Sequence, residues 1–227
     1  MKQLFIALSL FCLCLCSCSK SANQGSKNES ENWSQYSALM KKAVKSPTTE
    51  KKLFGDFEIG MSEAQVDSII KAMYENDDLI YFLDVNQDSA PIRMDDSYDI
   101  NTSAFIFRHE KTPFYIEFTP NYLSGRLVGL FCILKPDKDH KYDEPPYKIM
   151  ADIFQASERG KGFTKIEMSG WNKEKPEEVV YSFVKDNLEV LFFPQPSGDG
   201  TMSYRNIPDM EALAAEERKN NDSSKEL

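Results

Sequence analysis

The clearest hydrophobic pattern in the chain predicts an amphipathic helix over residues 62–77, because apolar residues recur there at helical spacing. Ser62 and Gln65 stand three residues apart and form the sequence of a capping box, in which each side chain accepts a hydrogen bond from the other residue's backbone N–H. Met61 and Val66 occupy the two positions of a hydrophobic staple. We therefore predict that a helix begins at Ser62 and that the folded region is organised around it.

Short apolar runs, several of which alternate with polar residues, predict two sets of strands. The first set comprises residues 54–59, 79–83, 103–109, 114–118 and 126–134, and the second comprises residues 163–168, 179–184, 188–193 and 202–207. Most connections are of hairpin length, and residues 121–125 offer Gly125 for the positive φ of a tight turn, which favours antiparallel pairing. Further helices are predicted over residues 32–45, from Pro145 to just before Gly160, and over residues 208–219.

This order of elements predicts an α+β fold in which helices pack on one face of an antiparallel sheet. A helix followed by strands occurs twice, which is consistent with two tandem units. The first unit would comprise residues 51–136, and the second would comprise residues 137–219 and pack on the first. Residues 220–227 are predicted to be a disordered tail.

The strand at residues 126–134 is apolar on both faces, unlike a strand with one face in water. Strict alternation places Leu127, Phe131 and Ile133 on one face, and Val128, Leu130, Cys132 and Leu134 on the other. The second face then needs a cover, which is either the helix at residues 32–45 or a partner protein. We favour the helix in the isolated protein, because four bare apolar side chains would promote aggregation.

The N-terminus has the pattern of a lipoprotein signal peptide. Lys2 precedes an apolar stretch at residues 4–15, which is too short to cross a bilayer as a helix. Residues 15–18, Leu-Cys-Ser-Cys, resemble a bacterial lipobox, which favours a lipoprotein over an ordinary cleaved signal or an anchor helix. We predict that residues 1–17 are removed and that Cys18 carries fatty acyl chains such as palmitate. Residues 18–50 would then form a flexible tether and a short helix.

Charge and cysteine content exclude several classes of function. The formal net charge of −9 is the opposite of the positive footprint that nucleic-acid binding requires. Cys132 would be the one cysteine left beyond Cys18, so no internal disulfide is expected, and its apolar neighbours predict that its thiol is buried. His109 and His140 are near neither a cysteine nor each other, so we predict no zinc site.

The strongest candidate for a metal site is the sequence Asp-Val-Asn-Gln-Asp at residues 84–88, which resembles the first half of a calcium loop. The sixth position is Ser89 instead of glycine, and the twelfth is Asp95 instead of a bidentate glutamate. We therefore interpret this stretch as an acidic solvated loop. No phosphate-binding glycine loop or nucleophile motif occurs in the sequence, so we predict no metal, no cofactor and no catalytic residue.

The segment at about residues 54–73, in which Ile-Gly-Met-Ser leads through Glu-x-x-Val into a helix, resembles two groups of small Gram-negative envelope proteins. These are the BamE (SmpA/OmlA) outer-membrane assembly lipoproteins and proteins with the β-lactamase-inhibitor-protein fold. The resemblance implies a periplasmic domain anchored by lipid to a membrane, with the outer membrane favoured. It also implies protein–protein recognition through a sheet face and loops.

Two classes of function follow from these patterns. The first is a non-catalytic binding or accessory module for another envelope protein. The alternative is an envelope hydrolase or carbohydrate-active enzyme that uses carboxylates among residues 84–99 together with Glu117, since such chemistry needs two acids in one cleft. We favour the binding module, because the sequence contains no complete set of catalytic groups.

Overall fold

The structure is a computed structural model that describes residues 27–75, 79–84, 103–108, 114–136, 141–172, 174–175, 177–195, 200–213 and 215. Its α-helices are α1 (Lys27–Ala43), α2 (Glu63–Glu75), α3 (Pro146–Ala156) and α4 (residues 207–213), and a 3₁₀ helix spans Glu158–Gly160. Its strands are β1 (Leu79–Asp84), β2 (Ser103–Arg108), β3 (Phe114–Leu123), β4 (Arg126–Pro136), β5 (Thr164–Met168), β6 (Val180–Lys185), β7 (Leu188–Pro194) and β8 (Gly200–Asn206).

All eight strands form one antiparallel sheet in the order β1-β2-β3-β4-β8-β7-β6-β5. Strands β1 to β4 pair consecutively as one meander, and β5 to β8 pair consecutively as a second. The two meanders join where β4 pairs with β8, and Phe131 lies opposite Ser203 in this ladder. The predicted α+β class and antiparallel sheet are therefore confirmed. The sheet is continuous across the predicted boundary between residues 136 and 137.

Local signals place α2 as the sequence predicts. The backbone N–H of Ser62 donates to the Gln65 side chain over 2.9 Å, and the backbone N–H of Gln65 donates to the Ser62 hydroxyl over 3.3 Å. These two bonds are the predicted capping box. Gly60 has a φ of +89°, a conformation that an L side chain disfavours, and Val66 is fully buried. The chain therefore turns sharply before α2 and holds the helix start in place.

One face of the sheet, the inner face, carries the main core beneath α2 and α3. From α2, Val66 and Ile70 are fully buried in the core cluster that also contains Leu130 of β4. From α3, the Phe154 ring lies 5.1 Å from Phe183 of β6, with the planes nearly perpendicular. This edge-to-face geometry is the one that aromatic pairs prefer. Because one core spans both meanders, the two units cannot separate without exposing it.

The opposite face, the outer face, carries α1. Tyr36 packs there against a cluster that includes Met168 of β5, Val180 of β6 and Leu191 of β7. The helix at residues 32–45 was predicted to cover the face of residues 126–134 that carries Leu130, Cys132 and Leu134, but these side chains lie in the inner-face core, so that prediction was wrong. The helix covers β5 to β7 on the outer face instead. Helices therefore lie on both faces of the sheet, whereas they were predicted on one.

Three local predictions were also wrong. Residues 54–59 form a tight turn closed by a bridge between Lys52 and Glu58, not a strand. Gly160 ends a 3₁₀ turn after the α3 cap at Ser157, so it is not the residue that follows the α-helix directly. Val128 is an extra residue in β4, because Leu127 pairs with Tyr122 whereas Gly129 pairs with Asn121. This bulge places Leu127 in the inner-face core instead of on the outer face.

Candidate functional site

The outer face of the sheet divides into two halves with different surroundings. The covered half, on β5 to β8, lies under α1. The open half, on β2 to β4, presents half-buried side chains of mixed character, namely Ile106, Tyr115, Glu117, Thr119, Phe131, Ile133 and Lys135. Among the residues that the structure describes, no helix packs on the open half.

A buried polar network lies at the centre of the covered half. The Glu189 side chain on β7 is 0% exposed and forms an ion pair with the guanidinium of Arg205 on β8. The hydroxyl of Ser182 donates to Glu189 Oε1 over 2.6 Å, and the hydroxyl of Tyr36 donates to the same oxygen over 3.1 Å. Arg205 Nη2 also donates to the Tyr36 hydroxyl over 3.0 Å. A buried carboxylate is thus satisfied by three side chains, as such a charge requires.

Tyr36 connects this network to α1. Burial and the neighbouring Glu189 carboxylate raise the pKa of Tyr36 far above its ordinary value, so the hydroxyl remains a hydrogen-bond donor. One turn away, the Trp33 ring packs edge-on against Tyr36, and its N–H donates to the Ser169 carbonyl over 2.9 Å. The helix is therefore held on the sheet by apolar packing and by specific hydrogen bonds.

The segment after α1 is fastened to the turn between β6 and β7. The Asn187 side-chain amide donates to the Thr48 hydroxyl over 2.6 Å, and Lys185 forms a 3.0 Å ion pair with Glu50. Thr49 also donates to Asp186. These contacts fix the path of the chain from the outer face towards the turn that precedes α2.

The open half has its own ion pair. Glu117 on β3 lies between Ile106 of β2 and Ile133 of β4 in the strand register. The Glu117 side chain is 13% exposed, and its Oε2 lies 2.6 Å from the ammonium of Lys135, which is 43% exposed. This ion pair puts two opposite charges among side chains that, apart from Thr119, are apolar or aromatic.

Several predicted sites fall outside the described residues. These are Cys18 with its signal, residues 85–99 with the calcium-type sequence, His109, His140 and the tail at residues 220–227. Cys132 is fully buried, and burial raises the pKa of its thiol, as expected of a core cysteine. Glu117 is paired with Lys135 rather than with a second carboxylate. Within the described ranges, no three histidine, cysteine or carboxylate side chains are grouped as a metal ion would require.

Sequence reasoning missed Glu189 and Arg205, which it treated as ordinary strand residues. A signal was present, because Glu189 interrupts an apolar strand that is buried on both faces. A charged residue in such a strand requires a partner. The identity of that partner was not accessible, since Arg205 and Tyr36 lie far from Glu189 in the sequence.

The described part of the chain contains no helix with the length and hydropathy needed to cross a membrane. No family model, curated protein or solved structure matches this chain.

Proposed function

We propose that this protein is a membrane-anchored periplasmic lipoprotein whose domain is a non-catalytic binding module for another envelope protein. The observation that carries the proposal is the open half of the outer face. The lipobox-like sequence that ends at Cys18 supplies the anchor, and the resemblance of residues 54–73 to small envelope lipoproteins agrees with that location.

The open half has the composition of a recognition surface. Phe131 and Ile133 lie on β4, at the centre of the sheet, with Ile106 across β3. A hydrophobic patch with a polar rim is typical of protein interaction sites. Aromatic side chains are enriched in the cores of such sites, and charged residues are depleted there. Tyr115 and Phe131 match that description, whereas the Glu117–Lys135 pair is a charged exception that a partner would have to accommodate.

The covered half shows how apolar side chains on the outer face are removed from water. There, a comparable set of apolar side chains is buried by Trp33, Tyr36 and Leu39 of α1. The same chain therefore uses an amphipathic helix to remove half of the outer face from water. A partner protein that occupied the other half would remove further apolar area, at about 25 cal/mol per Å².

The anchor limits where the partner can be. Eight residues separate Cys18 from Lys27, the first residue of α1. A fully extended chain of that length spans no more than about 30 Å. The helix predicted to begin at residue 32 begins at Lys27, so the tether is shorter than expected and the domain stays close to the lipid surface. We expect the partner to be a membrane protein or another anchored protein.

Affinity capture of the lipidated chain from its own envelope, with quantitative mass spectrometry, tests this proposal. The double variant Phe131→Ser with Ile133→Thr should lose the partner, whereas Phe193→Ser should retain it. Phe193 is a matched control, because it is a half-buried phenylalanine of the outer face that packs into the covered half.

Each variant must first give a cooperative urea transition, so that lost binding is not lost folding. A partner recovered equally with wild type and the double variant would contradict a role for the open half. Recovery of no protein above the level of an unrelated lipoprotein would contradict the binding function itself.

A further inference from the structure

The two meanders place a glutamate at equivalent positions. In the first, Glu117 of β3 pairs with Ile133 of β4, and in the second, Glu189 of β7 pairs with Arg205 of β8. Glu189 follows Glu117 by the same number of residues by which Arg205 follows Ile133. Both glutamates lie on the outer face, each on the strand next to the central β4–β8 pair.

The pairing of β4 with β8 relates the two glutamate positions by a rotation. A two-fold axis through the Phe131–Ser203 pair would exchange β4 with β8. It would convert the pair Gly129–Arg205 into the pair Thr201–Ile133, and both pairs occur. The same rotation carries Glu117 onto Glu189 in register. The open half is thus the counterpart of the covered half across the centre of the sheet.

One of these two equivalent positions is occupied. Glu189 is buried beneath α1, whose Tyr36 hydroxyl donates to it over 3.1 Å within an apolar helix face. Glu117 is partly exposed, and Ile133 stands where the second meander has Arg205. The first meander therefore lacks that arginine donor, and Lys135 lies beside Glu117 from the next outer-face position of β4. An occupant of the open half would complete the site by supplying a donor of its own.

We propose that the open half binds an amphipathic helix of the partner protein, and that this helix directs a side-chain hydrogen-bond donor at Glu117 from within its apolar stripe. The inference rests on the proposed binding function and adds the chemistry of the partner. The resident helix α1 shows the pattern that fits, with a tryptophan, a tyrosine and a leucine at helical spacing. The partner helix docks where α1 would lie after rotation about the sheet centre.

The acidic charge of this chain favours a helix that carries basic residues as the occupant. The chain carries a formal net charge of −9, and α1 itself has Lys41 and Lys42 in its last turn. A partner helix with basic residues beside its apolar stripe would be attracted to an acidic domain. Its donor would meet an ionised side chain, and hydrogen bonds to charged groups are the stronger ones. An amphipathic helix with a donor in its apolar stripe therefore matches the polarity of this surface, and basic residues on it match the acidic charge of the chain.

Site-specific photocrosslinking in the native envelope tests the proposal. The photoreactive amino acid p-benzoylphenylalanine replaces Phe131 in the full lipidated chain, and a matched chain carries it in place of Phe193. We expect an adduct from position 131 and none from position 193. Mass spectrometry of the adduct should map it to one partner segment in which apolar residues recur at helical spacing.

The affinity is measured with a synthetic, fluorescently labelled peptide of that mapped segment. Its fluorescence anisotropy is measured with wild type, with Glu117→Gln, and with the matched control Glu167→Gln on the edge strand β5. Loss of a charged acceptor should weaken binding about tenfold for Glu117→Gln. Glu167→Gln should bind as wild type does, because Glu167 is exposed and lies at the far edge of the sheet.

Several results would overturn the inference while leaving the binding function intact. They are a partner that is captured but crosslinks elsewhere, an adduct with an extended segment, and an adduct with a second copy of this chain. Equal peptide affinity for wild type and Glu117→Gln would also overturn it. If affinity capture recovers no partner at all, the proposed function fails before the helix is tested.

Discussion

Replacing Arg205 by methionine should strongly destabilise the fold, because it leaves the buried Glu189 carboxylate without its cationic partner. The Glu189 side chain is 0% exposed and that of Arg205 is 8% exposed, so the ion pair lies almost entirely out of water. Arg205→Met would leave a buried carboxylate with only the hydroxyls of Ser182 and Tyr36 as donors. Removal of one partner from such a pair costs about 3–5 kcal/mol of unfolding free energy.

The double variant Glu189→Leu with Arg205→Met separates this charge penalty from lost packing. It removes both charges and leaves the Tyr36 and Ser182 hydroxyls without their acceptor. An unsatisfied buried hydroxyl costs about 1–3 kcal/mol. Because two such hydroxyls would offset much of the charge penalty, the comparison also removes them with Tyr36→Phe and Ser182→Ala. This quadruple variant should be more stable than the Arg205→Met single variant, because it buries neither an unpaired charge nor an unsatisfied hydroxyl.

Urea unfolding provides the assay, with two probes. Trp33 and Trp171 both adjoin the cluster beneath α1, so their fluorescence reports on the covered half. Far-ultraviolet circular dichroism reports on the whole fold. In Arg205→Met, the fluorescence midpoint should fall at least as far as the dichroism midpoint. A loss below about 1 kcal/mol in Arg205→Met, or a quadruple variant less stable than this single variant, would refute the reasoning about the buried charge.

Three further predictions concern other parts of the fold. Ser62→Ala should lower the unfolding free energy by about 1 kcal/mol through loss of the cap, and Val66→Asp should cost several times more in the same urea assay. Gly129→Ala should cost about 1–3 kcal/mol, because a Cβ there would lie 2.4 Å from a backbone oxygen of β8; urea midpoints that match wild type would contradict this close approach. Burial raises the pKa of Tyr204 to about 12 and raises that of Tyr36 above its ordinary value, so the unfolded chain ionises first and stability falls as the pH rises above about 10. Tyr36→Phe should remove about 1.4 kcal/mol of the total stability lost between pH 8 and pH 11 in urea titrations, since most of that loss occurs above pH 10, and an unchanged pH profile would exclude Tyr36 as its source.

Sequence signals between neighbouring residues predicted most of the secondary structure. The capping box at Ser62 needs only residues within one helical turn, and the structure contains both of its hydrogen bonds. The turn between β3 and β4 likewise depends on neighbours, since Ser124 and Gly125 both have positive φ as a two-residue hairpin requires. Boundaries were less accurate. Strand β3 continues beyond the predicted residue 118 to Leu123, because pairing with β4 extends the ladder.

The arrangement of the outer face could not be derived in the same way. Strict alternation failed at Val128, since a bulge shifts register according to the pairing partner rather than the local sequence. The helix at residues 32–45 was expected to cover β4, yet it lies over β5 to β7. The apolar stripe of a helix indicates that it packs on something, but it does not indicate which part of a sheet it contacts.

By itself, the sequence determined the helix that begins at Ser62, the two series of strands, the antiparallel α+β class and the burial of Cys132. Each of these depends on spacing or hydropathy within a short window. Only the tertiary structure decided that β4 pairs with β8, that Glu189 meets Arg205 and Tyr36, and that Glu117 occupies the equivalent position on the open half. These features join residues that are distant along the chain, and hydrophobic burial is non-directional, so local pattern does not specify which distant surfaces meet.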